Sequence, residues 1–369
     1  MEKKELIGLS QVQMKELASA MGEPSYRGTQ LFECIYRQRL LDFQKMTALP
    51  AKFRENLTAQ SQMSLPLVEK KFLSSDGTVR YLLRLGDGQR IETVLMPEKA
   101  RDTICVSTQA GCPVDCKFCL TGTMGFFRNL TAGEIAGQVL LLMFEHNLAS
   151  ERQLNLVFMG MGEPMYNYQN AMDAIHLMAD AEGMSVALSR MTLSTAGVVP
   201  GIEQFGKGKK RPRLAISLNA TTDELRNEIM PINRKWPLAE LLNACREFPL
   251  REREKLTFEY VLLDGINDSV QDAQRLTKLL AGLRCKVNLI GLNPGTELPY
   301  RTPTEERISQ FQSILIHKGI PAFIRKPRGR DISAACGQLK LNENVQTSAV
   351  SNITPDEAKL SPADSAWIA

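Results

Sequence analysis

Cys112, Cys116 and Cys119 stand in the segment CPVDCKFC, a C-x3-C-x2-C spacing that gathers three thiols on one short stretch of chain. In a reducing compartment, cysteines so clustered point to metal or redox chemistry. Structural zinc takes four ligands, and this segment offers only three. Three thiolates holding a [4Fe-4S] cluster leave one iron open to chelate a substrate. The spacing argues against unrelated thiols and leaves zinc and iron–sulfur chemistry as alternatives. Of the other five cysteines, Cys34, Cys245 and Cys285 lie in apolar settings and read as inert, while Cys105 and Cys336 read by residue type alone as small buried hydrophobes.

Several further groups could serve a cofactor: GMGEP (160–164), Ser194, Ser217 to Asn219, and Asn293. By itself GMGEP reads equally as a turn between strand and helix, while a lone Ser194 or Asn293 reads more readily as a cap or turn residue. Two basic runs, KGKKRPR (207–213) and RKPRGR (325–330), offer phosphate contacts. Tyr26, Arg27, Tyr36, Arg37 and Arg39 mix aromatic and basic groups as an RNA-contact surface does, although their helices also need an apolar face. Glu92, on residue type alone, is one carboxylate in a hairpin and reads as part of a solvated face.

The elements that must position these residues follow from periodicity. Residues 1–60 predict short helices at Leu9–Met21, Gly28–Gln38 and Lys52–Leu57. Between Leu67 and Pro97, three alternating segments separated by Asp-Gly turns predict an antiparallel meander. From residue 103 onward, strands are expected at Thr103–Thr108, Leu154–Met159, Met191–Thr195, Arg213–Leu218, Thr257–Leu262 and Lys286–Ile290. Helices come between them, most clearly at Ala132–Glu145, Tyr168–Ala181, Leu238–Glu247, Ser269–Ala281 and Glu305–His317. This βα repetition implies parallel strands, in either a partial β/α barrel or a doubly wound sheet. In a barrel, the cysteine segment and the four cofactor candidates all fall at the C-terminal ends of strands, where such folds place their sites.

Composition sets the wider bounds. A chain of 369 residues with 43% hydrophobic and 23% charged residues is ordinary for a globular protein and large enough for a substantial core. Its net charge of +4 does not by itself indicate a nucleic-acid partner. The longest strongly apolar run, Ala136 to Phe144, is too short to span a membrane. The start MEKKELIGLSQ lacks the apolar stretch of a signal peptide, so a cytoplasmic location is expected.

With Phe118 before its last cysteine, CPVDCKFC resembles the signature of radical S-adenosylmethionine (SAM) enzymes. Taken with Cys105, RIETVLMPE (90–98), GMGEP, LSTAG (193–197), AISLNA (215–220), MPINRKW (230–236), Asn293 and RGRDISAACGQL (328–339), the chain is similar to the RlmN/Cfr family of radical SAM RNA methyltransferases, from about Tyr26 to Leu339.

The resemblance implies an α/β fold in four parts. These are an N-terminal helical accessory domain for RNA contact (1–60), a small antiparallel β extension (61–98), a partial (β/α)6 radical SAM barrel (99–331), and a C-terminal segment with Cys336 and a flexible tail (332–369). It implies one [4Fe-4S] cluster on Cys112, Cys116 and Cys119, with SAM on the open iron and two SAM consumed per turnover. SAM contacts are implied at Gly162, Glu163, Ser194, Ser217, Leu218, Asn219 and Asn293. Cys336 is implied as the methyl carrier, Cys105 as the thiol that forms a transient disulfide with it, and Glu92 as the general base. The implied substrates are 23S rRNA at the peptidyl-transferase centre and tRNA at the adenosine 3′ of the anticodon. A monomer served by an electron donor such as flavodoxin is also implied. Methylation at adenine C2 is the implied outcome; a Cfr-like C8 product is the alternative, and the residues quoted do not separate the two.

Overall fold

The computed structural model describes residues 3–148, 153–293 and 298–341. The expected tail therefore lies largely outside the described residues, as does Pro294 beside Asn293. The chain opens with β1 (Lys4–Glu5) and three helices, α1 (Gln11–Ala20), α2 (Tyr26–Tyr36) and α3 (Ala51–Gln60), followed by β2 (Ser61–Gln62). Ser10 starts α1 through a capping box in which its hydroxyl and the Gln13 side chain each take the other residue's backbone N–H. β1 pairs in parallel with β2, so the helical module is closed at both ends.

The meander forms as its turns dictate: β3 (Leu67–Leu73), β4 (Val79–Arg84) and β5 (Arg90–Pro97) are antiparallel neighbours. It does not stop at residue 98. β5 pairs antiparallel with β6 (Arg101–Cys105), and β6 pairs in parallel with β9 (Gln153–Phe158), so meander and core share one ten-stranded sheet. The parallel run continues through β10 (Met191–Thr195), β11 (Arg213–Ser217), β12 (Leu256–Leu262) and β13 (Cys285–Gly291) to β14 (Ala322–Ile324). All six expected core strands are present, and β14 is an addition. It has three residues, two of them exposed, so no alternation marks it in the sequence. A separate hairpin of β7 (Gln109–Gly111) and β8 (Phe126–Asn129) lies between β6 and β9, where a simple loop was expected.

α4 (Leu120–Thr123), α5 (Ala132–Glu145), α6 (Tyr168–Ala179), α7 (Val199–Lys207), α8 (Asp223–Ile229), α9 (Leu238–Glu247), α10 (Val270–Leu279) and α11 (Glu305–His317) complete the chain. Thr131 and Ser269 cap α5 and α10 with full capping boxes, which fixes where each helix leaves its strand-end loop. Parallel strands joined by helical crossovers align their C-terminal ends on one side, and the connecting loops collect there. The segment after β14 reaches across to the turn between β3 and β4: Ser74 Oγ donates to Asp331 at 2.5 Å, and the Ser75 amide donates to it at 3.0 Å. The sheet is thus curved enough for its two ends to be bridged by one short segment.

Candidate active site

The cysteine segment is held by backbone rather than by side chains. Gly111 ends β7 with φ +74°, and a Cβ there would lie 2.0 Å from the Gly125 carbonyl oxygen, so only glycine lets the hairpin close this tightly. The Cys112 amide donates to the same Gly125 carbonyl at 2.8 Å. Farther along, the Cys119 amide donates to the Cys116 carbonyl at 3.0 Å, and the Lys117 amide donates to the Ile229 carbonyl at the end of α8 at 2.9 Å. All three thiols are free and half-buried.

Burial pushes Cys112 up to about 12 and Cys116 well above the ordinary thiol value; the charges of the neighbouring thiols add to both shifts. The backbone amides of Val114 and Gly162 oppose the shift at Cys112. Such amides suit a sulfur that carries negative charge. Among the described residues, no three His, Cys, Asp or Glu side chains are grouped tightly enough for a single metal ion. Three thiols on one short loop, with backbone N–H groups aimed at the Cys112 sulfur, suit three corners of a polynuclear cluster and fall one short of the four ligands of a structural zinc site.

The strand-end residues gather beside this loop but divide in role. Gly162 has φ +103°, and a Cβ there would lie 2.6 Å from the Gln109 Cβ, so the GMGEP turn packs directly on the cysteine hairpin. Glu163 is buried, and its two carboxylate oxygens accept from the Met165 amide at 3.0 Å and the Ala196 amide at 2.7 Å. Burial outweighs these bonds and raises its carboxyl to about 7. Its side chain is a brace between β9 and β10. Asn219 is likewise occupied: its Oδ1 accepts from the Val261 amide at 2.8 Å and its carbonyl accepts from Asn267 at 2.7 Å. Leu218 is fully buried. Ser194 and Ser217 are half-buried, and their hydroxyls make no hydrogen bond among the described residues. These two are the candidates whose side chains remain available to a ligand.

Cys336 and Cys105 come together from opposite ends of the core. Cys105 ends β6 and is buried, while Cys336 is exposed on the segment after β14. Burial raises the Cys105 thiol, and the nearby Cys336 raises it further. Cys336 is open to solvent yet ringed by enough protein that its thiol is pushed up to about 11, with Glu259 and Cys119 among the neighbours contributing. Asn293 Nδ2 donates to the Cys336 carbonyl at 3.3 Å, and Leu120, next to Cys119, donates its amide to Gly337 at 2.7 Å. The methyl-carrier candidate therefore sits against the cysteine loop.

Glu92 is not on a solvated face: it is wholly buried on β5 and paired with the equally buried Arg80. Its backbone carbonyl accepts from Ser107, and burial raises its carboxyl despite the arginine and the amides of Lys340 and Leu341. Those amides place it beside the segment that carries Cys336. No local pattern marks Arg80, Gln109, Ser107 or the buried Arg226, because each joins the site only when distant elements meet.

The basic runs separate. KGKKRPR precedes β11 and so lies at the far end of the strands from the cysteines; its Arg211 is buried against Glu254 at 2.6 Å and lies over the rings of Phe248 and Phe205. RKPRGR follows β14 on the site's side, but Arg328 is tied to Asp76 and to the Pro97 carbonyl, and Arg330 to Asn293. In the N-terminal module, Tyr36 is buried and bonded to Gly8, and Arg39 holds the carbonyls of Met143 and Leu148. Tyr26 alone of the two tyrosines is exposed, with Arg27 over its ring.

Residues 106–277 match the family described as the Radical SAM superfamily, and residues 4–63 match the ribosomal RNA large subunit methyltransferase N-terminal domain. A probable dual-specificity RNA methyltransferase RlmN of Koribacter versatilis is 52% identical over 345 residues, which cover 89% of this chain and 99% of that protein. A dual-specificity RNA methyltransferase RlmN of Pelobacter propionicus is 44% identical over 339 residues, 92% of this chain and 96% of that protein. Among solved structures, a radical SAM methyltransferase from Sphaerobacter thermophilus matches with a TM-score of 0.88 and 44% identity, over 92% of this chain and all of that one.

Proposed function

The chain belongs to the RlmN family of radical SAM RNA methyltransferases, and from that premise we propose that it methylates adenine C2 in 23S rRNA and in tRNA through Cys336. The observation that carries this reading is the meeting of Cys105, Cys336 and the cysteine loop at one end of the sheet. A radical SAM enzyme without a protein methyl carrier has no use for that pair.

Adenine C2 is electron-poor and cannot attack the methyl group of SAM, so ordinary transfer to the ring has no nucleophile. Cys112, Cys116 and Cys119 would hold the [4Fe-4S] cluster, which with SAM supplies a 5′-deoxyadenosyl radical. Cys336 acts twice. Its sulfur, on losing its proton, first accepts a methyl group from one SAM; after loss of a hydrogen atom, the same carbon bonds to adenine C2. Glu92 accepts the ring proton, a step that requires its carboxyl to be ionised. Cys105 then bonds to the Cys336 sulfur and breaks the sulfur–carbon bond; the proton from the Cys105 thiol completes the methyl group on the base, and the one surplus electron left by the radical addition passes to the oxidised form of the electron carrier that serves the enzyme. The disulfide must be reduced before the next turnover. Ser194, Ser217 and Asn293, with the backbone around Gly162, would orient SAM, and Glu163, Leu218 and Asn219 would hold that surface in place.

The same reading assigns a low-potential electron donor of the flavodoxin type, a monomeric state and a cytoplasmic location. Among the described residues, no helix is long and apolar enough to cross a membrane. Nucleoside analysis of 23S rRNA and tRNA, from cells with and without the gene, tests the assignment. Loss of 2-methyladenosine from both RNAs is expected; loss of 8-methyladenosine alone would overturn it.

A further inference from the structure

Arg226, on α8, is 0% exposed, yet among the described residues it forms no ion pair. Its guanidinium donates only to neutral groups: the carbonyls of Ala196 at 2.6 Å, Leu218 at 3.0 Å and Ser217 at 3.2 Å, and the Asn233 Oδ1 at 3.0 Å. The Asp223 carboxylate nearby is committed elsewhere, accepting from Asn233 Nδ2 and from the Leu238 amide, each at 2.8 Å. A buried cation is costly unless an opposite charge compensates it. The strongest ionic influence on Arg226 comes from Cys116, and the Lys117 amide ties that same loop to Ile229 at the end of α8. Burial lowers the guanidinium to about 10, which leaves it charged at neutral pH.

We propose that Arg226 is the built-in counter-charge of the bound cluster, and that its cation raises the cluster's reduction potential. The proposal rests on the reading that Cys112, Cys116 and Cys119 hold a [4Fe-4S] cluster. On reduction, one electron from a low-potential donor enters the cluster, no bond breaks, and the cluster and its thiolates become more negative by one charge. A fixed cation stabilises that reduced form more than the oxidised one, because net charge and local electrostatics set such potentials. Arginine suits the position better than lysine, since one planar fork holds carbonyls at the ends of both β10 and β11 while keeping its charge beneath the loop. Arg226 is thus also a positioning residue for Ser217.

The test is a potentiometric titration, read by electron paramagnetic resonance, of holoenzyme reconstituted anaerobically with iron and sulfide, with dithionite as reductant. Arg226→Gln removes the charge and Arg226→Lys keeps it. A third protein exchanges two neighbours, Asp223→Asn with Asn233→Asp, which leaves the total charge unchanged and sets a carboxylate directly against the guanidinium. The midpoint potential is expected to shift negative in Arg226→Gln and in the exchanged protein, and to stay near wild type in Arg226→Lys. Wild-type potentials in both neutralised proteins would overturn the proposal, as would an equal shift in Arg226→Lys. Should Arg226→Gln fail to fold, the exchanged protein alone decides. Wild-type protein that binds no iron would instead overturn the underlying cluster assignment.

Discussion

The cysteine loop and the C-terminal segment that bears Cys336 are built in opposite ways. The loop places all three of its proposed cluster thiols within eight consecutive residues and is held by its own hairpin. The C-terminal segment contributes one thiol and is positioned by attachments from elsewhere: Asp331 to Ser74 and Ser75, Arg328 to Asp76, Asn293 to Cys336 and Leu120 to Gly337. The first arrangement concentrates cofactor binding in one local unit. The second makes the position of Cys336, the proposed methyl carrier, depend on the whole curved sheet. Damage to the loop should therefore abolish every step, whereas damage to the segment should spare the cofactor and affect only transfer.

The largest expected effect comes from Cys116→Ala, which removes the most strongly perturbed thiol of the loop. Iron content after anaerobic reconstitution and SAM cleavage should both fall to background; a full cluster spectrum in this protein would break the comparison. Cys336→Ala should abolish RNA methylation as completely while leaving iron content at the wild-type level. Labelled methyl from SAM that still reached RNA would remove Cys336 from the carrier role. Cys105→Ala should leave RNA covalently attached to Cys336, because no thiol is then placed to form the releasing disulfide. Gel mobility before and after nuclease digestion detects the adduct.

The same contrast explains what the sequence could disclose. The loop was legible because its three cysteines, the proposed ligands, are neighbours in the chain, and the six core strands were legible because they carry apolar runs bounded by turns. Asp-Gly turns marked the meander, but nothing local showed that β5 would pair with β6 and extend the main sheet. Glu163 and Asn219 have the residue types of ligand contacts, and only the folded chain reveals that their side chains are consumed by backbone groups. Arg80, by chance of chemistry a typical surface residue, is buried because Glu92 meets it across β4 and β5 in adjacent registers of one antiparallel pair. Pairing of that kind depends on register, which periodicity alone does not fix.

A smaller effect is expected at Glu92, the proposed base, which lies beside the C-terminal segment. Glu92→Gln keeps the shape of the buried side chain but cannot accept a proton, so the transfer rate should fall by about 10²- to 10⁴-fold. Burial places the Glu92 carboxyl above the ordinary value of 4.5. The proposed base is active when ionised, so the wild-type transfer rate should rise with pH through that raised value and then level. Glu92→Gln should lose this limb while SAM cleavage without RNA keeps its own pH dependence. An unchanged limb in Glu92→Gln would assign the proton transfer to another group.

The smallest effect sharpens the comparison where the C-terminal segment is attached to the turn between β3 and β4. Asp331→Asn weakens the two bonds that join the C-terminal segment to the turn between β3 and β4. A single hydrogen bond contributes about 1 kcal/mol net, so only a slight loss of thermal stability is expected. Burial acts to raise the Asp331 carboxyl, but bonds from Ser74 and Ser75 outweigh it and the net shift is downward. A carboxyl lowered in the folded state stabilises above its unfolded value and loses that contribution as pH falls through the folded one. The wild-type protein should therefore lose part of its margin over Asp331→Asn below about pH 4, as thermal melts at several pH values would measure. Because the segment is positioned only by such attachments, methyl transfer should decline in Asp331→Asn at neutral pH while iron content and SAM cleavage remain at wild-type levels. Equal losses in all three would show that the segment and the loop are one mechanical unit.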